Sequence, residues 1–264
     1  MIHHIKYALS KYTDWFSCLA TIIGVIAIFP LEKWLAITVI LCCCTLAFLI
    51  PFVSSFSKNE FEIKTIGNSD VSVQFGDLFE EECFMVTTNR HFDVDPDEGF
   101  ITGTSLLGLF VDKFYHNNIG ELKQTIRNNS NITVDSNNNI KSTSYGKTIL
   151  FQKDGKMIYL MAFTDRKKSD QPKDFYVKAM SGFLKEISEA NHGKTIAIYL
   201  IGDNNNLSNT GFSSSEVAFE SLISMINSFG IQNLQTTLKL KIVILPNKRS
   251  ELIEVISRYS KSIF

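Results

Sequence analysis

Two long apolar runs open the chain, and short alternating segments interleaved with amphipathic ones follow. Residues 15–31 (WFSCLATIIGVIAIFPL) and 34–53 (WLAITVILCCCTLAFLIPFV) contain no charged residue, and only Glu32 and Lys33 separate them. Each run is near the ~20 residues that a helix needs to cross ~30 Å of hydrocarbon. The pattern therefore predicts a two-helix transmembrane hairpin over residues 1–57, with spans of about 13–31 and 34–55. Trp15 and Trp34 stand where interfacial aromatics collect, and Pro51 falls near the end of the second run, where a broken turn costs little. Lys6, Lys11, Lys58 and Lys64 flank the hairpin on its terminal side, against Lys33 on the other. The positive-inside tendency then places both the N-terminus and the large C-terminal part in the cytoplasm.

From residue 54 the composition turns polar, and residues 58–70 read as a linker. VSVQFGDL (71–78) alternates apolar and polar residues and stops at Gly76-Asp77, as a strand does. FMVTTN (84–89) reads as a second strand. Thr104 or Ser105 caps a helix whose Leu106, Leu107, Phe110, Val111 and Phe114 form an apolar stripe. Gly120 to Arg127 reads as a short second helix, and residues 128–139 as a mobile polar excursion. TILFQKDGKMIYLMAF (148–163) is a hairpin whose Asp154-Gly155 turn supplies positive φ. A long amphipathic helix over 174–190 precedes TIAIYLIG (195–202), a run typical of a strand covered on both faces. A helix from Ser213–Ser215 through Phe229, stopped by Gly230, leads to a strand at 238–245 and a closing helix at 248–261. Strands and helices alternate around one antiparallel hairpin, which predicts an α/β fold with a mixed sheet of roughly six strands, a sandwich over residues 71–264.

Composition narrows the chemistry. At 264 residues and 45% hydrophobic, the chain can bury one sizeable core, and a net charge of −1 excludes an overall basic field for nucleic acid. Four of the five cysteines (Cys18, Cys42, Cys43, Cys44) sit in the apolar runs and Cys83 stands alone, with no C-x-x-C pair. Neither a disulfide framework nor a zinc site is expected. His91, His116 and His192 show no spacing for a metal or a triad, so no catalytic or metal-ligating residue is expected.

What remains is a set of polar strand ends: Gly76-Asp77, Asn89, and the stretch from Gly202 to Gly211. In open α/β sheets ligands bind at the carboxyl ends of strands. Asp77 can accept from an exocyclic amine such as that of adenine, and Asn89 can hold a ribose hydroxyl. GTSLLG (103–108) and the serine-rich start of the 213–229 helix both present helix N-termini, which suit a diphosphate. Phe92 and Phe212 are candidates to stack on base or ribose, with core packing the default for each.

VSVQFGDLFE, VTTN, GTSLLGLF and IYLIGDNNNLSNTGF together resemble the macro domain family, over roughly residues 71–230. With two apolar runs ahead of them, the chain is similar to the transmembrane–macro effectors of type II Thoeris anti-phage systems. The resemblance implies a macro-like three-layer sandwich. It implies a ligand-binding set of Asp77, Leu78, Asn89, Thr104, Ser105 and Leu106, with Gly202, Asp203, Asn204, Leu207, Ser208, Asn209, Thr210, Gly211 and Phe212 from the phosphate loop. It also implies an ADP-ribose-derived second messenger, including histidine-ADP-ribose, made by a TIR-domain partner from NAD. Oligomerisation on binding and membrane disruption at the prokaryotic inner membrane would follow, with no enzymatic activity and no cofactor. Two departures stand out. Only Gly103 and Gly108 remain of the family's usual glycine run, and Asp203 to Asn206 replace small residues in the phosphate loop. The rival expectations are a membrane-tethered ADP-ribosyl hydrolase, which would lean on Asp77 or Asp203, and a non-catalytic scaffold with a degenerate pocket.

Overall fold

The computed structural model describes residues 59–65, 67–99, 101–116, 118–130, 132–136, 139–167, 170–190, 193–201, 214–233 and 237–260, and five isolated positions before them. Those five, Thr38, Cys42, Thr45, Leu46 and Leu49, are helical and exposed. The rest of the two apolar runs, and residues 202–213, lie outside the described residues. Among the described residues no helix is long and apolar enough to cross a membrane.

Seven strands form one sheet: β1 (Glu60–Ile63), β2 (Asp70–Phe75), β3 (Cys83–Asn89), β4 (Thr148–Lys153), β5 (Lys156–Thr164), β6 (Ile196–Tyr199) and β7 (Lys239–Ile244). Their order is β1-β2-β7-β6-β3-β5-β4. The five central strands run parallel, and β1 and β4 close the edges antiparallel. Five helices complete the fold: α1 (Leu106–Tyr115), α2 (Ile119–Arg127), α3 (Phe175–Ala190), α4 (Ser215–Gln232) and α5 (Arg249–Tyr259).

Alternation along each strand divides the core into two layers. Cys83 and Met85 of β3, with Tyr159, Met161 and Phe163 of β5, face α3, α4 and α5. Phe84 and Val86, with Ile158, Leu160 and Ala162, face α1 and α2. The result is a helix–sheet–helix sandwich. Among the described residues its second helical layer covers only half of its face: over β1, β2 and β7 that side carries Glu60, Glu62, Ser72, Gln74, Lys239 and Lys241, and no described helix packs on them.

Two expectations need correction. The linker expected over 58–70 contains β1, because Phe61 and Ile63 alternate with exposed glutamates and are fully buried against the α3–α5 side. That strand brings the sheet from six to seven. Helix α4 runs through Gly230 to Gln232: a Cβ on Gly67, whose φ is +83°, would lie 2.7 Å from the Gly230 carbonyl oxygen, so the two glycines permit a close crossing rather than a stop. Within and beside the 128–139 excursion, Val134 bridges Ile140, whose carbonyl oxygen lies 3.0 Å from His91 Nδ1. The expected turn is present as read, with φ of 51° at Asp154 and 76° at Gly155.

Candidate functional site

The parallel strands end together along one edge, and there β3, β5 and β6 border a cleft of about 340 Å³ against the start of α1. Asn89, Thr164, Ile201, Thr102, Ser105 and Leu106 are among its walls. A bulge between Thr88 and Asn89 sets Phe163 into the wall as the extra residue of β5, a common device for re-aiming side chains beside a site.

Ser105, rather than Thr104, caps α1: its hydroxyl accepts from Gly108 N at 3.0 Å and donates to Thr102 O at 2.7 Å. The N–H groups of Leu106 and Leu107 make no hydrogen bond to described residues, as expected for the first turn of a helix. They meet the cleft at the positive end of the helix dipole. Gly108 is what lets loop and helix approach so closely. A Cβ there would overlap Thr102 O and lie 2.9 Å from Gly103 Cα.

At the far wall four charged groups are paired off. Asp93, with a side chain only 7% exposed, receives both Nε and Nη2 of Arg166 at 2.6 Å. Asn89 donates from Nδ2 to Asp93 at 2.8 Å and accepts from the N–H of His91 and of Asp93. Arg90 Nη1 donates to Asp165 at 3.0 Å and stacks over the Tyr145 ring, whose hydroxyl donates to Asp165. Burial first, and then the Asp165 carboxylate, push the Tyr145 hydroxyl up to about 12. The bond from Asp93 holds the Arg166 guanidinium firmly charged.

The structure thus brings Asn89, Ser105 and Leu106 together, and separates others from them. Asn89 spends most of its side chain on the 89–93 turn, which leaves one amide hydrogen for a ligand hydroxyl. Thr104 is exposed outside the cleft walls. Asp77 is also outside them: it caps the short turn Leu78–Glu80, accepting from Phe79 N at 3.0 Å, and lies 3.6 Å from Lys113. Leu78 is buried in the α1–α2 core, as is Phe92, and neither is a wall of this cleft. Gly202, Asp203, Asn204, Leu207, Ser208, Asn209, Thr210, Gly211 and Phe212 lie outside the described residues, but Ile201, from which they continue, is a cleft wall. Sequence reading missed Asp93, Asp165 and Arg166. The signal for Asp165 and Arg166 was the charged run DRKK directly after a strand, which is equally common on a solvated surface.

A larger concavity, about 830 Å³, lies toward the opposite edge, over the β1, β2 and β7 side of the sheet. Its charges are mixed, with Glu81 and Lys241 paired at 2.9 Å. Among the described residues no group of three His, Cys, Asp or Glu side chains is placed to hold a metal ion.

Comparison with known proteins gives a consistent picture. The family profile of the macro domain of the Thoeris protein ThsA matches residues 71–245. A macrodomain mutant from Oceanobacillus iheyensis is 13% identical, with a TM-score of 0.50 over 76% of this chain and 92% of that one. A second mutant of that macrodomain, solved with ADPR, is 15% identical with a TM-score of 0.47, covering 76% and 97%. Thermosipho africanus DarTG in complex with ADP-ribose is 15% identical with a TM-score of 0.43, covering 75% of this chain and 47% of that one. At 13% identity the first of these speaks to fold alone, a macro-like mixed α/β sheet. No curated protein matches the chain.

Proposed function

Because the chain belongs to the macro domain family of the Thoeris protein ThsA, we propose that it is the sensor and effector of an anti-phage response. Its cleft takes a second messenger of ADP-ribose type made by a TIR-domain protein, with histidine-ADP-ribose the leading candidate. The apolar hairpin anchors the chain in the inner membrane with the macro domain in the cytoplasm. Binding drives assembly, and assembly compromises the bilayer. A ligand shifts such an equilibrium only by binding one state better than the other.

The observation that carries the reading is the start of α1. Two unpaired N–H groups, from Leu106 and Leu107, open on a cleft at the carboxyl edge of the sheet, where a diphosphate fits the helix dipole. The state of the nearby carboxylates favours binding over hydrolysis. Asp93 is held by Arg166, and Asp165 by Arg90 and Tyr145, so each is occupied rather than poised as a base. Calorimetry of the chain in detergent with ADP-ribose, histidine-ADP-ribose and NAD tests the reading. Micromolar or tighter binding of an ADP-ribose derivative supports it, and no heat from any of them sinks it. Release of ADP-ribose from a modified peptide would instead establish the hydrolase. Loss of toxicity on exchanging residues 12–56 for an unrelated hairpin, with binding retained, tests the membrane half.

A further inference from the structure

The point at which the N-terminal segment joins the sheet fixes which way the cleft looks. Strand β1 runs antiparallel to β2, so it starts at the carboxyl edge of the parallel strands: Glu60 pairs with Gln74, and Phe75 N donates to Asn59 O at 2.9 Å. Arg249 Nη1 donates to Asn59 Oδ1 at 2.9 Å and pins the same residue from the α5 side. The cleft lies on this edge too, three to five strands away in the order β1-β2-β7-β6-β3-β5. At the spacing of neighbouring strands that is ~14–24 Å.

The chain allows little slack beyond Asn59. The second uncharged run ends at Val53, and the intervening residues 54–58 can span at most ~20 Å when fully extended. Strand β3 has seven residues, so the opposite edge of the sheet lies a further ~23 Å away. A bilayer holding the apolar run therefore sits closer to the carboxyl edge than to the edge bearing Glu82, Gly155 and Lys194.

We propose that the ligand cleft opens on the membrane-proximal side of the domain, so that ligand enters the gap between the sheet edge and the lipid headgroups. The inference rests on the membrane reading above. It makes the occupied cleft and the hairpin immediate neighbours, with no relay through the domain needed between them.

The test is photo-crosslinking of full-length chain in vesicles of phosphatidylethanolamine and phosphatidylglycerol. p-Benzoylphenylalanine replaces Thr104 or Asn247 on the carboxyl edge, or Asp154 or Lys194 on the other, and lipid adducts are counted by mass spectrometry. At least fivefold more adducts at Thr104 and Asn247 is the expected result, with Thr104 adducts falling when ADP-ribose is added. Adducts favouring Asp154 and Lys194, equal yields at all four, or failure of the chain to float with vesicles would each overturn the proposal. Calorimetry on the same preparations keeps the outcomes apart. Absent ADP-ribose binding with carboxyl-edge adducts refutes the nucleotide reading but not the orientation, and binding with opposite-edge adducts does the reverse.

Discussion

Gly103 and Gly108 look alike in the sequence, yet the fold gives them opposite roles, and paired alanine substitutions should separate them. At Gly103 a Cβ meets nothing within 4 Å, whereas at Gly108 it overlaps Thr102 O and stands 2.9 and 3.0 Å from Gly103 Cα and C. Carbon atoms in contact prefer about 3.5–4.0 Å. Gly108→Ala must therefore push the 102–103 backbone off the helix by the better part of 1 Å, or bend α1. Overpacking of this kind costs ~1–3 kcal/mol, against a gain of ~0.5–1 kcal/mol from replacing glycine inside a helix. A net loss of about 1–2 kcal/mol is expected from these opposing terms. Because Thr102 and Leu106 are both cleft walls, the same shift moves the N–H groups proposed to hold the diphosphate, and affinity for ADP-ribose should fall about tenfold, or ~1.4 kcal/mol. Gly103→Ala should be neutral or slightly stabilising, since its cost is absent and the unfolded chain loses freedom. Urea denaturation measures the first quantity and calorimetry with ADP-ribose the second. A Gly108→Ala protein as stable as the parent, with unchanged affinity, would refute the close-approach reasoning.

Four further outcomes follow from the geometry. Arg166→Met strands the buried Asp93 carboxylate and should cost about 2–3 kcal/mol in urea unfolding, below the 3–5 of a fully buried pair because the Arg166 side chain is 38% exposed. Adding Asp93→Asn should recover part of that loss, and a strictly additive double variant would deny the coupling. Ser105→Ala should lower stability by ~1 kcal/mol through loss of the helix cap, while Thr104→Ala should change it by less than ~0.3, as followed by thermal melting. Burial pushes the Cys83 thiol from 9.0 up to about 11, partly countered by Lys194. Its raised folded value means that its contribution to stability is complete below pH 9 and is lost as pH rises toward 11. Iodoacetamide at pH 8 should consequently leave Cys83 unmodified in peptide maps until the protein is denatured, and alkylation in the folded state would contradict the burial.

Legibility in the sequence tracked how local each determinant is. Period-two alternation in VSVQF and the Asp-Gly turn at 154–155 announce themselves within a few residues, and both stand where they were expected. Strand β1 offered only Phe61 and Ile63 among glutamates, a signal too short to separate from a polar linker without its partners. The stop read at Gly230 failed because the reason for that glycine is Gly67, far away in the chain. Within the cleft, Asn89 and Ser105 were visible because strand ends and helix caps favour those residue types. Asp93 and Arg166 were not, since only the fold brings their segments within 2.6 Å. Asp77 shows how one pattern serves two ends: a strand-ending Gly-Asp suits a base ligand, and here its carboxylate caps Leu78–Glu80.

The strand order also sets a schedule for synthesis. Strand β7 is the last to leave the ribosome, yet it occupies an interior place, pairing Val71 of β2 on one side and Ile196 of β6 on the other through Leu240. Until residue 244 has emerged, β1 and β2 have no sheet to join, and the nascent chain holds two unconnected fragments. The apolar N-terminal runs are translated long before that moment, and so is every residue that lines the cleft, from Thr87 to Ile201. A message truncated ahead of β7 therefore keeps the cleft-lining residues but leaves β1 and β2 without the strand that joins them to β6.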